Sequence, residues 1–502
     1  MSFFNVFTKK VRKSKFNLTF DNKLTCDMGY LIPFMSLDVV PGDKFTGKCD
    51  IFCRLAPQLA PVMHDVQIYT WFFFVPNRLL WNDWESFITG GEDGNNSSIR
   101  PYVVFKNGVA VGSIADFLNV PPSETPYDYG VNALPFRAYN LIYNEWFRDQ
   151  DLQEKLVVSK ESGEDTTDFV LKRACWEKDY FTSSRPFTQK GSPAVLRLGK
   201  EAEIVPTGSL RFTAPNGMSG DLSTGGGVTG LPNNVFANGI SQVGPLIYQS
   251  GLKTDLSTAS TVTANDIRNT FTIQQFMETN ARCGSRYSEF IRSHFGANPK
   301  DSRLQRPELI GSGRSPIIFS EVLQTSSTDN TSPQGNMSGH AISAQSGHVY
   351  NKYFEEHGWV IGLMCIRPKT AYQQGIPRSM LRETRYDYLI PEFSNLGERP
   401  IKNKEIYVKS SDPDGTFGFA PQYEEYRFVN NSVHGNFRTN MSYWHMGRIF
   451  ENEPVLNEEF VECNPTKRIS AVTNEDNCYV QIVNYLTAVR PLPKISVPSG
   501  LK

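Results

Sequence analysis

The sequence predicts a mainly β protein, an elaborated antiparallel sandwich with long insertions between strands and several α-helices inside those insertions. Aromatic residues supply 12% of the chain, including 34 Phe and 21 Tyr, and aromatic side chains are enriched in strands. Several segments alternate apolar and polar residues with period two. The helical patterns fall in connections between these segments rather than in a regular βαβ array.

The first strands are predicted before residue 76. Residues 31–40 lead into the turn Pro41-Gly42-Asp43, and residues 45–55 follow with period-two alternation. Residues 66–75 are apolar on both faces, which is typical of a central strand between two packed layers. We therefore expect the core of the sandwich to begin here.

Four helices are predicted in the connections, over residues 77–88, 113–118, 135–156 and 266–295. Gly90 and Gly296 follow the first and the last of them as C-terminal caps. Ser113 can cap the second helix, and Pro135 suits the first turn of the third. Gly284 is expected to divide the last helix.

The second half of the chain returns to strands, at residues 317–323, 359–366, 401–408, 425–433 and 479–489. A polar stretch at 325–346, rich in Ser, Gly, Thr and Asn, predicts a surface loop. The tail at 490–502 contains three prolines, which predicts an extended segment.

A long segment at 206–265 is too polar to form a core. Of its 60 residues, 34 are Gly, Ser, Thr, Asn or Pro, and four are charged. Such a composition buries little apolar surface to offset the entropy of ordering. Because loops of this length usually carry a function, we expect an insertion that acts outside the fold.

The amino-terminal arm, residues 1–20, carries the clearest charge pattern. It is predicted to be unpatterned, with interleaved Phe residues and no acid before Asp21. Five cations in such an arm attract phosphate, and aromatic rings stack on unpaired bases. A solvated tail, or an arm that packs on a neighbouring subunit, would show the same pattern. The candidate nucleic-acid-binding residues are Lys9, Lys10, Arg12, Lys13 and Lys15.

The overall charge and the cysteines exclude several classes of protein. A net charge of −1 gives no global attraction to nucleic acid or membrane, so such a partner must meet a local patch. No stretch has the ~20 apolar residues of a membrane span, and no signal peptide opens the chain. The eight cysteines form no CxxC pair. We expect reduced thiols, those of Cys49 and Cys53 on a buried strand face, in a protein made in a cytoplasm.

The sequence contains no recognised catalytic or metal-binding motif, so we expect no enzyme, no cofactor and no metal. No HExxH or Gly-x-Ser-x-Gly motif occurs. The glycines at 42 and 47 have phosphate-loop spacing, but a strand follows where a helix is required. His340, His348 and His357 lack a recognised ligand spacing.

The sequence also resembles a known family, the major capsid proteins of the gokushovirus branch of the Microviridae, small tailless single-stranded DNA phages. The resemblance spans most of the chain in family order. The similar blocks are FNLTF at 16–20, GYLIPF at 29–34, DVVPGD at 38–43, LAPQLAPVMHD at 55–65, FFFVPNR at 72–78, LPFRAYN at 134–140, IYNEWFR at 142–148, CWEKDYF at 175–181, SHFG at 293–296 and GWVIGLMCIRP at 358–368.

The resemblance implies an eight-stranded viral jelly roll, with residues 21–502 forming one elaborated domain. Many copies would form a T=1 icosahedral virion shell around circular single-stranded DNA, assembled in the cytoplasm of a bacterial host. It implies an insertion at 203–265 that gathers around threefold axes as a surface protrusion for a host receptor. It also implies two further partners, an internal scaffolding protein and a small basic packaging protein.

Two other functions compete with a capsid. A glycan-binding or glycan-active jelly roll would stack sugars on exposed Trp81, Trp84 or Trp444, but no separated carboxylate pair and no signal peptide supports it. A soluble single-stranded DNA-binding protein would bind only weakly, because five arm cations sit on a chain of net charge −1.

Overall fold

The computed structural model describes residues 11–195, 263–323 and 337–495, together with the backbone of four strands between 203 and 255. The chain divides into two compact units. The first contains Met1–Thr188 and Cys283–Lys502, and the second contains Gln189–Arg282.

The strands of the described residues are numbered in chain order. They are β1 (Ser14–Asn17), β2 (Phe20–Cys26), β3 (Ile32–Val39), β4 (Lys44–Leu55), β5 (Val66–Pro76), β6 (Tyr102–Val103), β7 (Val131–Asn132), β8 (Glu203–Thr213), β9 (Ser219–Thr224), β10 (Val235–Ala237), β11 (Ile247–Asp255), β12 (Glu308–Leu323), β13 (Met337–Tyr353), β14 (Gly358–Pro368), β15 (Ala371–Tyr372), β16 (Glu398–Lys402), β17 (Thr416–Pro421), β18 (Asn431–Ser432) and β19 (Cys478–Arg490).

The α-helices are short except for one of 20 residues. They are α1 (Asn77–Leu80), α2 (Trp84–Thr89), α3 (Ile114–Phe117), α4 (Leu134–Ile142), α5 (Ala264–Cys283), α6 (Tyr287–Phe295), α7 (Asn403–Ile406) and α8 (Glu458–Val461). A π-helix (Tyr143–Phe147) continues α4.

The first unit is built on a curled, nine-stranded antiparallel sheet in the order β1-β19-β4-β13-β12-β5-β14-β3, with β2 also paired to β19. Its eight long strands fall into two groups of four, β2-β19-β4-β13 and β3-β14-β5-β12. This pairing of strands far apart in sequence is the double Greek key of a jelly roll. The predicted jelly-roll fold is confirmed.

The two groups are joined by the β12–β13 pair on one side and approach each other on the other side. There, Nδ2 of Asn22 on β2 donates to the carbonyl oxygen of Phe34 on β3 at 2.6 Å. Nη2 of Arg490 donates to the carbonyl oxygen of Asp38 at 2.8 Å. Side-chain hydrogen bonds therefore close the curled sheet where no strand ladder does in the described residues.

The main core lies between the two groups of strands. Phe72 meets Phe34 edge-to-face at 5.7 Å and Tyr350 at 4.4 Å between ring centroids. A Cβ on Gly47 would lie 2.2 Å from Cζ of Tyr350, so this ring requires glycine on β4. Cys49 and Cys53 are buried here, as the period-two pattern predicted.

A second core covers the outer face of β3-β14-β5-β12. Phe73, Ile361 and Leu363 point outward from this group and are completely buried against the insertion that follows β5. The hydroxyl of Tyr139 on α4 donates to the carbonyl oxygen of Leu31 at 3.0 Å. Arg137 Nε lies 2.6 Å from Oδ2 of Asp165, and both side chains are 1% exposed. We call this group of strands the covered sheet.

The outer face of the other group has no such cover in the described residues. We call β2-β19-β4-β13, together with the edge strand β1, the open sheet. Its outward positions on β4, from Lys44 to Arg54, are exposed or half-buried, while the inward positions between them are buried.

The second unit contains four strands and α5. The strands form an antiparallel sheet in the order β10-β9-β8-β11. The polar insertion predicted at 206–265 therefore contains regular backbone pairing, because a strand ladder needs only main-chain groups. The residues between these strands lie outside the described residues.

Several predicted elements are confirmed. They are the strands at 31–40, 45–55, 66–75, 359–366 and 479–489, the helix at 113–118, and the divided helix at 266–295. The side chain of Ser113 accepts from the backbone N–H of Asp116. Gly284 has φ +92 and separates α5 from α6, and Gly296 has φ +65 after α6. The strand predicted at 317–323 is the end of the longer β12.

Two predicted helices are shorter than expected. The helix at 77–88 breaks at Trp81, which is extended because its buried indole Nε1 donates to Ser162 Oγ at 2.7 Å. The helix at 135–156 ends at Phe147. Asn144 Nδ2 donates to the carbonyl oxygen of Leu156, and Asn144 Oδ1 accepts from the backbone N–H of Leu156, both at 2.8 Å. These bonds hold the segment after the helix against it.

Three other predictions were wrong. The strand at 401–408 ends at Lys402, and α7 follows because Glu405 lies buried between Arg378 and the hydroxyl of Tyr180. Residues 425–433 form a 3-10 turn and only a two-residue strand, β18. The loop predicted at 325–346 is strand from Met337 onward, because β12 and β4 pair with it on both sides. Residues 325–336 lie outside the described residues.

Candidate nucleic-acid interface

The five predicted arm cations are only partly described. Lys9 and Lys10 lie outside the described residues, whereas Arg12, Lys13 and Lys15 are exposed. The prediction of an unpatterned arm is wrong for Ser14–Asn17, which form β1. This strand pairs antiparallel with the end of β19, because the outer edge of β19 is free beyond its pairing with β2. The ladder therefore fixes Lys15 at one edge of the open sheet, with Lys13 directly before the strand.

Lys13 is held in place by two contacts. Its Nζ donates to the carbonyl oxygen of Gly42 at 2.7 Å and lies 5.0 Å from the ring centroid of Tyr353. Gly42 has φ +91 in the predicted turn, a conformation that favours glycine. The contact with Tyr353 was missed by the sequence reasoning, since 340 positions separate the two residues and only the β4–β13 pairing brings them together.

The turn also buries a carboxyl group. Asp43 is completely buried, and desolvation raises its pKa, although the backbone N–H of Val40 donates to it at 3.2 Å. Arg490 Nε lies 3.2 Å from its Oδ2. Asp43 thus joins the turn to the end of β19, next to the strand that carries Lys15.

None of Arg12, Lys13 and Lys15 forms an ion pair with a carboxylate of the described residues. Their charges are therefore available to an anion. Exposed cations without partners attract phosphate through release of counterions, and that attraction weakens with salt. The arrangement suits contact with a nucleic-acid backbone.

Of the three histidines singled out in the sequence, the two with described side chains have other partners. Nε2 of His340 lies 3.1 Å from Ser320 Oγ, and the His357 ring packs on Trp84 at 5.4 Å. The side chain of His348 is not described. Across the described ranges, no three His, Cys, Asp or Glu side chains converge as a metal site requires.

The cysteines are free thiols. Burial raises the pKa of Cys49 to about 12 and that of Cys175 to about 11. Both thiols therefore stay protonated at neutral pH and act as small apolar groups.

A cavity of about 860 Å³ lies beside the half-buried His64 and the buried His445, both of which the sequence reasoning missed. His64 Nε2 bonds the carbonyl oxygen of Lys369 at 2.7 Å, and His445 Nε2 bonds that of Phe437 at 2.8 Å. Burial lowers the pKa of both imidazoles. Each ring is therefore a neutral donor to a backbone carbonyl. No local pattern links residues so far apart in the sequence.

The tryptophans proposed for sugar stacking do not form one common stacking surface. Trp81 is 1% exposed, which corrects the expectation of an exposed ring. Trp84 packs against Trp81 at 6.1 Å, and Trp444 stacks on Phe437 at 6.2 Å.

No helix in the described ranges is both long enough and apolar enough to cross a lipid bilayer.

Comparison with known proteins agrees with the fold. A family model described as "Capsid protein (F protein)" matches residues 4–500. The chain is 37% identical to capsid protein VP1 of Chlamydia phage 1, over 100% of this chain and 97% of the relative. It is 36% identical to capsid protein VP1 of Bdellovibrio phage phiMH2K, over 99% and 97%. Capsid protein VP1 of Spiroplasma virus 4 is 31% identical, over 98% and 96%.

Proposed function

This chain belongs to the phage capsid protein (F protein) family, and from that premise we propose that many copies of it close into a T=1 icosahedral shell around circular single-stranded DNA. Its place is the phage virion, as a major capsid protein. The observation that carries the proposal is the match over nearly the whole chain, on a protein folded as a jelly roll. Jelly rolls are a common architecture of viral shells.

Exposed apolar side chains support assembly. Met380, Val429 and Leu396 of the first unit are 79%, 87% and 69% exposed. Covering such groups on association is favourable, because it removes apolar surface from water. A closed shell gives each copy several neighbours, so modest contacts act together.

The arm supplies the contact with the genome in this proposal. Lys9, Lys10, Arg12, Lys13 and Lys15 would neutralise phosphates of the enclosed strand. The absence of described carboxylate partners for the last three supports this role. A small basic packaging protein and an internal scaffolding protein would be further partners.

The insertion at 203–265 is proposed to form the surface protrusion that meets a host receptor, within an otherwise single domain of residues 21–502. Its membership of a separate compact unit supports a role apart from the jelly roll. The protein would act as a structural component rather than an enzyme.

The first experiment images material from cells that replicate the source genome with its neighbouring genes. Uniform closed particles containing this chain, with nuclease-protected single-stranded DNA, are expected in negative stain. Monomers or small oligomers, with the neighbouring genes demonstrably expressed, would contradict the shell and favour a glycan-binding function.

A second experiment tests the arm. Substitution of all five cations by Gln is preferable to deletion, because deletion would remove part of β1. We expect particles that retain less protected DNA. The control carries Gln at Lys300 and Lys409, exposed lysines elsewhere. Normal DNA retention by the arm variant would contradict its contact with the genome.

A third experiment replaces residues 203–255 with a short Gly/Ser linker. Particles should still form, and attachment to host cells should be lost. Loss of the particles themselves would instead assign the insertion to assembly.

A further inference from the structure

The outward face of the open sheet combines exposed aromatic rings with cations. Ladder pairing places side chains of β4 on the same face as their partners on β19 and β13. Lys48 stands opposite Tyr485, Arg54 opposite Tyr479, and Lys44 opposite Tyr353. Each outward aromatic ring on these two neighbouring strands thus faces a cation on β4.

Four aromatic side chains on this face are accessible. Phe52 is 45% exposed, Tyr353 49%, Tyr485 46% and Tyr479 37%. None of them makes a ring contact with another aromatic side chain of the described residues. Four exposed rings on one face of three neighbouring strands are more than the scattered apolar residues of an ordinary surface.

The face is also positively charged, although the whole chain has a net charge of −1. The two acids on its strands are already paired, Asp21 with Lys23 at 2.5 Å and Asp50 with Lys48 at 3.1 Å. A third acid, Asp476, lies beside β2, where its Oδ2 accepts from Oγ1 of Thr25 at 2.7 Å. The outward cations outnumber these acids by six to three, and they are Lys13, Lys15, Lys23, Lys44, Lys48 and Arg54. Lys15, Lys44 and Arg54 form no ion pair with a described carboxylate.

Two of the cations lie over an aromatic ring of this face. Nζ of Lys48 is 5.6 Å from the ring centroid of Tyr485, and Nζ of Lys13 is 5.0 Å from that of Tyr353. A nucleotide carries a flat base next to a negative phosphate. A ring with a neighbouring cation therefore offers one contact for each part of a nucleotide.

We propose that this face of the open sheet is a stacking platform for unpaired bases of the packaged single strand. This inference rests on the proposed function and extends it from the arm to a surface of the jelly roll itself. A duplex hides the faces of its bases, so the exposed rings favour a single strand. A basic packaging protein is disfavoured by the positive charge of the face.

The dimensions of the face agree with a segment of several nucleotides. Tyr479 and Tyr485 are six residues apart on β19, which is roughly 20 Å along the strand. Sites on β-sheet proteins that bind single strands cover about 4–16 nucleotides. The arm cations Lys13 and Lys15 stand at one edge of this area, so the arm and the face would follow one continuous path of the genome.

The test compares two full-length variants in assembled particles and as purified protein. The first combines Phe52→Ala with Tyr485→Ala. The control is Tyr129→Ala, which truncates a ring that is 63% exposed in the insertion after β5. Binding of a fluorescent oligo(dT) and of a duplex of equal length is measured by anisotropy. Ultraviolet crosslinking followed by peptide mapping locates DNA contacts in wild-type particles.

We expect the double variant to bind oligo(dT) about 25-fold more weakly or worse, since each of the two stacked bases contributes about 1–3 kcal/mol. The control should bind like the wild type, and the duplex should bind more weakly than the single strand. Crosslinks should map to peptides that contain Phe52 or Tyr485. If the double variant fails to fold, the crosslinks in the wild-type particles alone decide.

Two failures are distinguishable. An absence of particles with protected DNA would overturn the proposed function. Particles with protected DNA whose crosslinks avoid β4 and β19 would overturn only the platform. Crosslinks from these strands to a scaffolding protein or to a second copy of this chain, with none to DNA, would also overturn it and identify the other occupant.

Discussion

The two sheets of the jelly roll differ in what lies against their outer faces. On the covered sheet, Phe73 points outward and is completely buried beneath the insertion that follows β5. On the open sheet, Phe52 points outward and is 45% exposed. The same residue type on neighbouring strands in the sequence therefore serves two purposes. A ring under the insertion stabilises the fold, whereas a ring without a cover is available to a partner.

The sequence of each strand matches its surroundings. β5 is apolar on both faces, as a strand between two packed layers must be. β4 alternates, with cations on the side that the structure leaves exposed. The comparison teaches that residues 80–174, in the insertion after β5, are part of the hydrophobic core of this protein, whereas the outer face of the open sheet stays accessible among the described residues of one subunit.

The largest expected effect comes from truncating one ring on each face. Phe73→Ala should lower the free energy of unfolding by about 3–5 kcal/mol, because it leaves a cavity between β5 and the rings of Trp146 and Phe147. Phe52→Ala should change it by about 0.5 kcal/mol or less. Urea unfolding of both variants measures the difference. Equal losses would mean that the open sheet is covered in the folded subunit.

Arginines on the two sides give a second pair of variants. Arg137→Leu should cost about 3–5 kcal/mol, because it strands the buried carboxylate of Asp165 and removes donors to Leu80 and Glu161 carbonyls. Arg54→Leu should leave the unfolding transition unchanged and weaken binding of single-stranded DNA. Thermal unfolding and oligo(dT) binding are measured for both. An equal fall in melting temperature for Arg54→Leu and Arg137→Leu would contradict the difference between the open and the covered sheet.

The salt dependence of binding sharpens the description of the open sheet. Each phosphate contact contributes about 0.7 to the slope of log K against log salt for a single strand. Lys44→Gln and Arg54→Gln should each lower that slope by about this amount, and Lys409→Gln should leave it unchanged. Oligo(dT) titrations at several salt concentrations give the slopes. An unchanged slope in all three variants would place the phosphates elsewhere.

The smallest effect concerns pH. His64 and His445 have a lowered pKa because burial disfavours their charged form, so the unfolded state binds protons more readily. Their contribution to stability is present above the unfolded pKa of about 6.5 and is lost as the pH falls below it. His64→Gln should reduce the difference between the melting temperatures at pH 8 and pH 5.5. Lys44→Gln on the open sheet should keep the full difference.

Local patterns predicted much of the framework. The alternation of residues 45–55 and the apolar run at 66–75 placed β4 and β5, and Gly284 and Gly296 marked the ends of α5 and α6. These signals succeed because strand period and left-handed glycine caps depend on neighbouring residues. The predicted cations at 12, 13 and 15 are exposed, but the pairing of β1, which carries Lys15, with the edge of β19 was not predicted, since a short polar strand has no signature of its own.

Three of the errors share one cause. Trp81 breaks a predicted helix to reach Ser162, Glu405 starts a helix inside a predicted strand to meet Arg378 and Tyr180, and β13 orders a polar stretch by pairing on both sides. In each case a partner far along the chain outweighs the local preference. The same holds for the contact of Lys13 with Tyr353.

The sequence by itself determined that this is a strand-rich chain with a basic arm, a polar insertion and the motifs of a capsid family. Only the tertiary structure decided which strand face is covered and which is bare. Alternation divides a strand into two faces, but burial depends on which distant segment packs there. The insertion after β5 buries Phe73, and no described segment buries Phe52, so a difference between two rings of the same type becomes visible only in the folded protein.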